Sequence, residues 1–293
     1  MQQFYLIDAS IYIFRAWFSM DDSIVDKQGN QVNAVYGFAY FLAQLLTRVQ
    51  PTHIIAAFDE SLNSSFRNKI YPAYKQNREP APPELKHQFQ LCRQLCRAAG
   101  IKDVASRRYE ADDLIGSIAN KFRNKNTQMI IVSRDKDLLQ LIENKDYMWD
   151  FSDDKVIDSQ HTEKIFGVLP NQMVDYLALA GDAVDNIPGV KGVGKKTAQL
   201  LLQHFYSIDN LYDRLDEVDA LSIRGVSRIK NLLIEHQKMA YISQQLTQIK
   251  CDIKLNFGKN DCKWQFDIKK TERYFNKLGI GRRLIARFHA LQP

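Results

Sequence analysis

The sequence of 293 residues predicts an α/β fold with a largely parallel sheet, joined to a wholly helical C-terminal region. Three observations lead there. Up to about residue 168, short apolar runs of strand character alternate with helical patterns, as in strands joined by crossover helices. Beyond that point only helical patterning remains. The composition, 45% apolar and 25% charged with 8 prolines, is that of a globular chain long enough to bury a core without disulfides or a structural metal.

The elements follow in order. Residues 4–7 form a short apolar run that ends in Asp8. Residues 33–49 carry the spacing of a buried helix, and 53–58 form a second apolar run, ending in Asp59. Residues 61–83 are polar, basic and broken by Pro72, Pro80, Pro82 and Pro83, a long insertion of the kind that forms a functional loop. Helical patterns cover 83–99 and 111–122, and a third strand at 129–132 closes on Ser133-Arg134-Asp135. A helix over 170–180 stops at Gly181, and a glycine-rich stretch over 189–194 leads into a second helix ending near Phe205. Parallel sheets bind ligands at the carboxyl ends of their strands. All three strands finish in an aspartate, so one edge is expected to present Asp8, Asp59 and Asp135 together.

The net charge of +6 is unevenly distributed. Residues 61–109 carry +7, residues 186–208 carry +3 and residues 269–293 carry +6, which leaves −10 for the remainder. Any single block reads as a solvated helix face. Three blocks beside an acidic remainder suggest a polyanion held by one surface while carboxylates collect metal ions at another. Cys92, Cys96, Cys251 and Cys262 lack metal-binding spacing and read as reduced thiols. Asp8 interrupts the first apolar run and no basic segment precedes it, which excludes a signal peptide. The apolar part of the longest uncharged stretch, 33–47, is too short for a membrane span. A soluble, cytoplasmic protein is expected.

Glu110, Asp112 and Asp113 open a helix, where acids act as capping charges. Three within four residues exceed that need. Asp135 and Asp137 follow a strand at spacing i, i+2, and Asp182 and Asp185 are three apart; each pair also suits an Asx turn. If all these acids converge with Asp8 and Asp59, their repulsion calls for hard divalent cations, Mg²⁺ or Mn²⁺ rather than zinc, because the donors are all oxygen. The glycines at 189, 192 and 194 lack Walker spacing, yet they would let main-chain amides approach a phosphate beside a helix start.

In order along the chain, the motifs Leu-Ile-Asp8, Phe-Asp59, Phe66-Arg67 leading to Tyr74-Lys75-Gln-Asn-Arg78, Tyr109-Glu-Ala-Asp-Asp-Leu114, Ser133-Arg-Asp-Lys-Asp-Leu138 and 181–198 (GDAVDNIPGVKGVGKKTA) resemble the 5′-nuclease (flap endonuclease) family. The resemblance is greatest to the 5′–3′ exonuclease domain at the N-terminus of bacterial DNA polymerase I. It implies a PIN-like nuclease domain over 1–168, with a helical arch spanning about 60–108. It also implies a helical region over 169–293 with a helix–three-turn–helix DNA-binding motif at 186–205. The activity implied is two-metal hydrolysis of phosphodiesters at single-strand/duplex junctions, leaving 5′-phosphates, in replication and repair.

By the same resemblance, Asp8, Asp59, Glu110, Asp112, Asp113, Asp135 and Asp137 would serve the metals, with Asp182 and Asp185 holding the second, largely through water. Lys75 and Arg78 would act on the scissile phosphate. Arg67, Tyr74, Gly189, Lys191, Gly192, Gly194, Lys195, Lys196 and Thr197 would contact DNA. A potassium ion at the glycine turn, a DNA polymerase in cis or in trans and a monomeric state complete the expectation. Arg134 departs from the family pattern and is expected beside the carboxylates; Val184 is a second departure. Phe14, Trp17 and Phe18 read as core residues or as base-stacking ones. The rival readings are a junction-binding protein with a vestigial site and a PIN-type ribonuclease. Intact carboxylates weigh against the first, and the glycine turn against the second.

Overall fold

The computed structural model describes residues 1–60 and 64–291. Six strands form one sheet: β1 (Gln2–Asp8), β2 (His53–Asp59), β3 (Lys102–Ser106), β4 (Thr127–Val132), β5 (Tyr147–Asp150) and β6 (Lys155–Ile157). Their order is β3-β2-β1-β4-β5-β6, parallel throughout except at the last pair. The three strands expected from sequence are the central three. Strands β3, β5 and β6, short and partly polar, carry too weak an apolar signal to stand out.

The helices that follow β1 and β2 are α1 (Ala9–Ser19), α2 (Asn33–Val49), the single turn α3 (Arg67–Ile70) and α4 (Pro83–Ala98). Then come α5 (Ala111–Phe122), α6 (Ser159–Phe166), α7 (Met173–Ala180), α8 (Lys195–Phe205), α9 (Ile208–Asp213), α10 (Val226–Glu235), α11 (Gln237–Thr247), α12 (Ile268–Leu278) and α13 (Arg282–His289). Helix α7 stops at Gly181, whose φ of 74° suits a residue without Cβ.

Period-2 alternation along the strands separates two cores. Tyr5, Ile7, Ile54, Ala56, Ile130 and Val132 face a layer of α1, α2 and α4. Phe4, Leu6, Ile55, Ala57, Met129 and Ile131 face α5, with α7–α10 continuing the same core. The helical second region closes no core of its own. Its first helices extend the α5 layer, whereas Phe275, Leu278, Leu284 and Phe288 of α12 and α13 pack under α2 and α4.

Much of the insertion expected over 60–108 belongs to the sheet and its helix layer. Residues 83–98 are the crossover helix of a β2–α4–β3 unit, with Leu85, Leu91, Cys92, Leu95 and Cys96 buried, and 102–106 are a sheet strand. A turn-rich segment over 64–82 remains; residues 61–63 lie outside the described residues. All four cysteines are free thiols, and no described helix is long and apolar enough to cross a membrane.

Candidate metal and nucleic-acid site

Strand order reverses about β1, whose neighbours β2 and β4 lead away in opposite directions, and a crevice opens at such a switch point outside the carboxyl ends. Asp8 ends β1, Asp59 ends β2, and Asp135 lies three residues past β4. Hydroxyls lock them together. Ser133 Oγ donates to Asp8 Oδ2 at 2.9 Å and accepts the Asp135 amide at 3.0 Å. Ser10 Oγ accepts the Asp59 amide, and Asp59 Oδ1 accepts the Ala111 amide at 2.8 Å, which brings the first turn of α5 and Asp112 to the same edge.

The acids divide into two sets. Asp8, Asp59, Asp112 and Asp135 make no ion pair among the described residues. Burial, then Asp59 and Asp135, push Asp8 up to about 8. Burial, then Asp135 and Asp8, raise Asp112, and burial raises Asp135. The second set is partnered. Lys75 pairs with Glu110, and lies 3.5 Å from Asp185; Arg78 pairs with Asp185. Lys136 pairs with Asp182 and lies 3.4 Å from Asp137. Burial opposes ionisation of Glu110, but Lys75 and Arg67 win and bring it to about 2. Burial and Asp135 raise Asp137 to about 7.

Among the described residues no three of these groups are set around one point to hold an ion directly. The donor set nevertheless fits hard cations. Every donor is an oxygen, Glu110 Oε1 and Asp137 Oδ1 are buried without a hydrogen-bond partner, and four carboxylates, the buried Asp8 and the half-buried Asp59, Asp112 and Asp135, make no ion pair among the described residues. Mg²⁺ takes one or two carboxylates and fills its remaining positions with water, so it needs no closed cage.

Several expected residues lie elsewhere. Asp113 is fully buried, and both oxygens are saturated: Arg67 donates to each at 2.7 and 2.8 Å, and the amides of Glu110 and Lys250 complete the set. It is a structural anchor, not a metal ligand. Arg67, 3% exposed, also donates to the carbonyls of Leu246 and Gln248, so it ties α3 to α5 and to the end of α11 and cannot reach DNA. Tyr74 is likewise buried, its hydroxyl 3.2 Å from Glu110. The amide of Gly189 donates to Ser243, and a Cβ there would lie 2.4 Å from the Gly181 nitrogen; this glycine serves close packing. Arg134 leans outward to Asp150 at 3.8 Å and Asp153 at 3.9 Å, away from the carboxylates. The local pattern near a motif could not separate inward from outward side chains.

Part of the glycine turn is exposed. Lys191, Gly192, Gly194, Lys195 and Lys196 face solvent at the start of α8, with Thr197 half-buried behind them, and Gly194 is the N-cap residue with no side chain closing the helix end. Phe14 packs edge-on against Phe89, Trp17 is partly buried, Phe18 is 81% exposed and Val184 is 64% exposed. Beside Asp59 and Glu110 a cleft of about 470 Å³ is rimmed by Lys75, Arg78, Lys86 and Arg107. Lys136 and the hydroxyls of Ser10 and Ser133 were missed as site residues; Lys136 and Ser133 stand within the motif around Asp135, which was the available signal.

Residues 3–167 match the family described as 5′-3′ exonuclease, N-terminal resolvase-like domain, and residues 168–269 match 5′-3′ exonuclease, C-terminal SAM fold. The chain is 34% identical over 267 residues to a 5′-3′ exonuclease of Buchnera aphidicola from Schizaphis graminum, covering 91% of each. It is 36% identical over 281 residues to DNA polymerase I of Bacillus caldotenax, covering 94% of this chain but 31% of the polymerase. In fold it is similar to the T5 D15 protein co-crystallised with metal ions (TM-score 0.67, 16% identity, 99% of this chain and 100% of that one). A second neighbour is the bacteriophage T5 D15 flap endonuclease in a pseudo-enzyme-product complex with DNA and metal ions (TM-score 0.64, 17% identity, 98% and 96%).

Proposed function

The chain belongs to the 5′–3′ exonuclease family, and from that premise we propose that it is a divalent-metal-dependent 5′–3′ exonuclease and 5′-flap endonuclease acting at DNA single-strand/duplex junctions. One observation supports this reading: four carboxylates that make no ion pair among the described residues, Asp8 buried and Asp59, Asp112 and Asp135 half-buried, lie at a parallel-sheet switch point, beside a cleft rimmed with cations.

Asp8, Asp59, Asp112 and Asp135 would hold the metals, with Glu110 and Asp137 beside them and Asp182 and Asp185 acting through water. Two Mg²⁺ or Mn²⁺ ions, when bound, supply the charge that stabilises an in-line displacement at phosphorus and favours ionisation of the attacking water. The chain's own residues do the rest. Lys75 and Arg78 exchange their carboxylate partners for the scissile phosphate and stabilise its developing charge. Lys191, Lys195 and Lys196, with the amides at 192, 194 and 197, hold the duplex strand at the start of α8. A potassium ion on the carbonyls of that turn would add to the grip. The products are a 5′-phosphate and a 3′-hydroxyl. The setting is cytoplasmic DNA replication and repair, with a DNA polymerase in cis or in trans.

The test separates chemistry from binding. Asp112→Ala and Asp135→Ala should abolish Mg²⁺-dependent cleavage of a labelled 5′-flap while flap affinity in Ca²⁺ stays near that of the parent. Full cleavage by either variant removes the metal assignment, and cleavage of single-stranded RNA in preference to the flap replaces it with a ribonuclease.

A further inference from the structure

Three cations sit among the partnered carboxylates. Lys75 and Arg78 come from the turn-rich segment over 64–82 and, in the reading above, pass to the scissile phosphate. Lys136 differs in origin. It opens a 3₁₀ turn, Lys136–Leu141, directly after Asp135, and Leu138, Leu139 and Leu141 root that turn in the core. Its main chain is therefore held, and only the four-carbon stem can move. The side chain is 35% exposed, which leaves it room to swing outward.

The ammonium lies between two elements. It pairs with Asp182 Oδ2 and is 3.4 Å from Asp137 Oδ1, and among the described residues neither acid pairs with any other cation. Asp137 Oδ1 is buried and takes no hydrogen bond. Asp182 is held from its other side: Oδ1 accepts the Val184 amide at 2.8 Å, and its main chain exchanges two hydrogen bonds with Ile187. The loop over 182–187 is thereby closed, and Oδ2 is left for Lys136. Two largely buried carboxylates from separate elements repel each other unless a cation stands between them. An ammonium offers them three N–H donors. Mg²⁺ keeps several of its waters, whose O–H groups are donors of the same kind. Both cations therefore suit the same oxygens, and the two compete for them.

We propose that Lys136 is the internal counter-cation of the second-metal carboxylates: its ammonium holds Asp137 and Asp182 together until a water-clad divalent ion displaces it. This rests on the metal-dependent reading above and names the residue that sets how tightly the second ion is held. The second ion binds by exchange, and more weakly than the carboxylates alone would allow. The direction of the effect separates this role from a scaffold. A lysine that only props the site would weaken metal binding when removed, whereas one that competes strengthens it.

The experiment uses the full metal-free chain without DNA and Mn²⁺ as the probe, with bound ions counted by electron paramagnetic resonance and affinities taken from calorimetric titration. Lys136→Met keeps the apolar stem and removes the charge; Lys136→Gln replaces it if the Met variant does not fold. The weaker binding step should tighten by about tenfold or more, the scale of removing one like charge a few ångströms from an ion near a protein surface. Arg134→Gln is the control, because Arg134 is adjacent in sequence but faces Asp150 and Asp153; its titration should overlay the parent's. Thermal melting gives a second readout. Without metal the Lys136 variant should melt below the parent, and at saturating Mn²⁺ the two should coincide, since the parent's lysine has then been displaced. An unchanged or weakened second step overturns the proposal, as does a melting deficit that persists in Mn²⁺. Equal tightening in Arg134→Gln overturns it too, by assigning the effect to the general field. Failure of both the parent and the Lys136 variant to bind Mn²⁺ would instead sink the metal reading itself, and the proposal with it.

Discussion

Arg67 provides the sharpest test of how the segment over 64–82 is anchored. Arg67→Met keeps the apolar stem and removes the guanidinium, leaving the fully buried Asp113 carboxylate with two amide donors, from Glu110 and Lys250, where it had four. Breaking one partner of a buried pair costs about 3–5 kcal/mol. The two retained amides place the cost near the lower end, about 3 kcal/mol. The unfolding entropy of a 293-residue chain is about 0.6 kcal/mol/K by per-residue scaling, so the melting temperature should drop by about 5 °C. Adding Asp113→Leu removes the stranded charge and should restore much of that loss, because an apolar pair in place of a buried ion pair is often neutral or better. Differential scanning calorimetry of the parent and both variants measures the effect, with duplex affinity in Ca²⁺ alongside. An Arg67→Met protein that melts like the parent but binds DNA more weakly would refute the burial argument and return Arg67 to the DNA surface.

Metal and pH should act together. Burial, then neighbouring acids, hold Asp8 near 8 and Asp137 near 7 in the metal-free fold, above their unfolded values. Their contribution to stability is therefore present at low pH and lost as pH rises from about 4 to 8. Mg²⁺ binds the ionised forms and should restore the loss, so its melting shift should be larger at about pH 8.5 than at about pH 6; a shift independent of pH would contradict the unpartnered cluster. Lys75→Ala should reduce single-turnover cleavage at saturating enzyme by about 10²-fold or more with little change in duplex affinity. Weaker binding with parental cleavage would make Lys75 an ordinary backbone contact. Asp182→Asn, which also releases Lys136, should raise the Mg²⁺ concentration for half-maximal rate; overlaid titrations would remove Asp182 from the metal site.

The central strands, helices α2, α4 and α5, and the convergence of Asp8, Asp59 and Asp135 at one edge were determined by the sequence itself. Apolar runs of period 2 and 3.6 specify elements locally, and parallel connection then places every strand end on the same side. Charge density was equally legible: the unpaired cations of α12 and α13 are the basic block over 269–293. Which charges are partnered was a tertiary decision. Asp112 and Asp113 are adjacent on α5, yet a helix turns successive residues about 100° apart. One therefore meets the uncompensated cluster, and the other meets Arg67, brought by α3 from 46 positions away. Tyr74 and Gly189 sit inside motifs that read as DNA-contacting, but packing turned Tyr74 onto Glu110 and set Gly189 against Gly181. The outward lean of Arg134 has the same origin. A motif states which groups are available along the chain; whether each faces solvent, a carboxylate or a neighbouring backbone depends on segments distant in sequence, because burial and Coulomb energies are settled only where those segments meet.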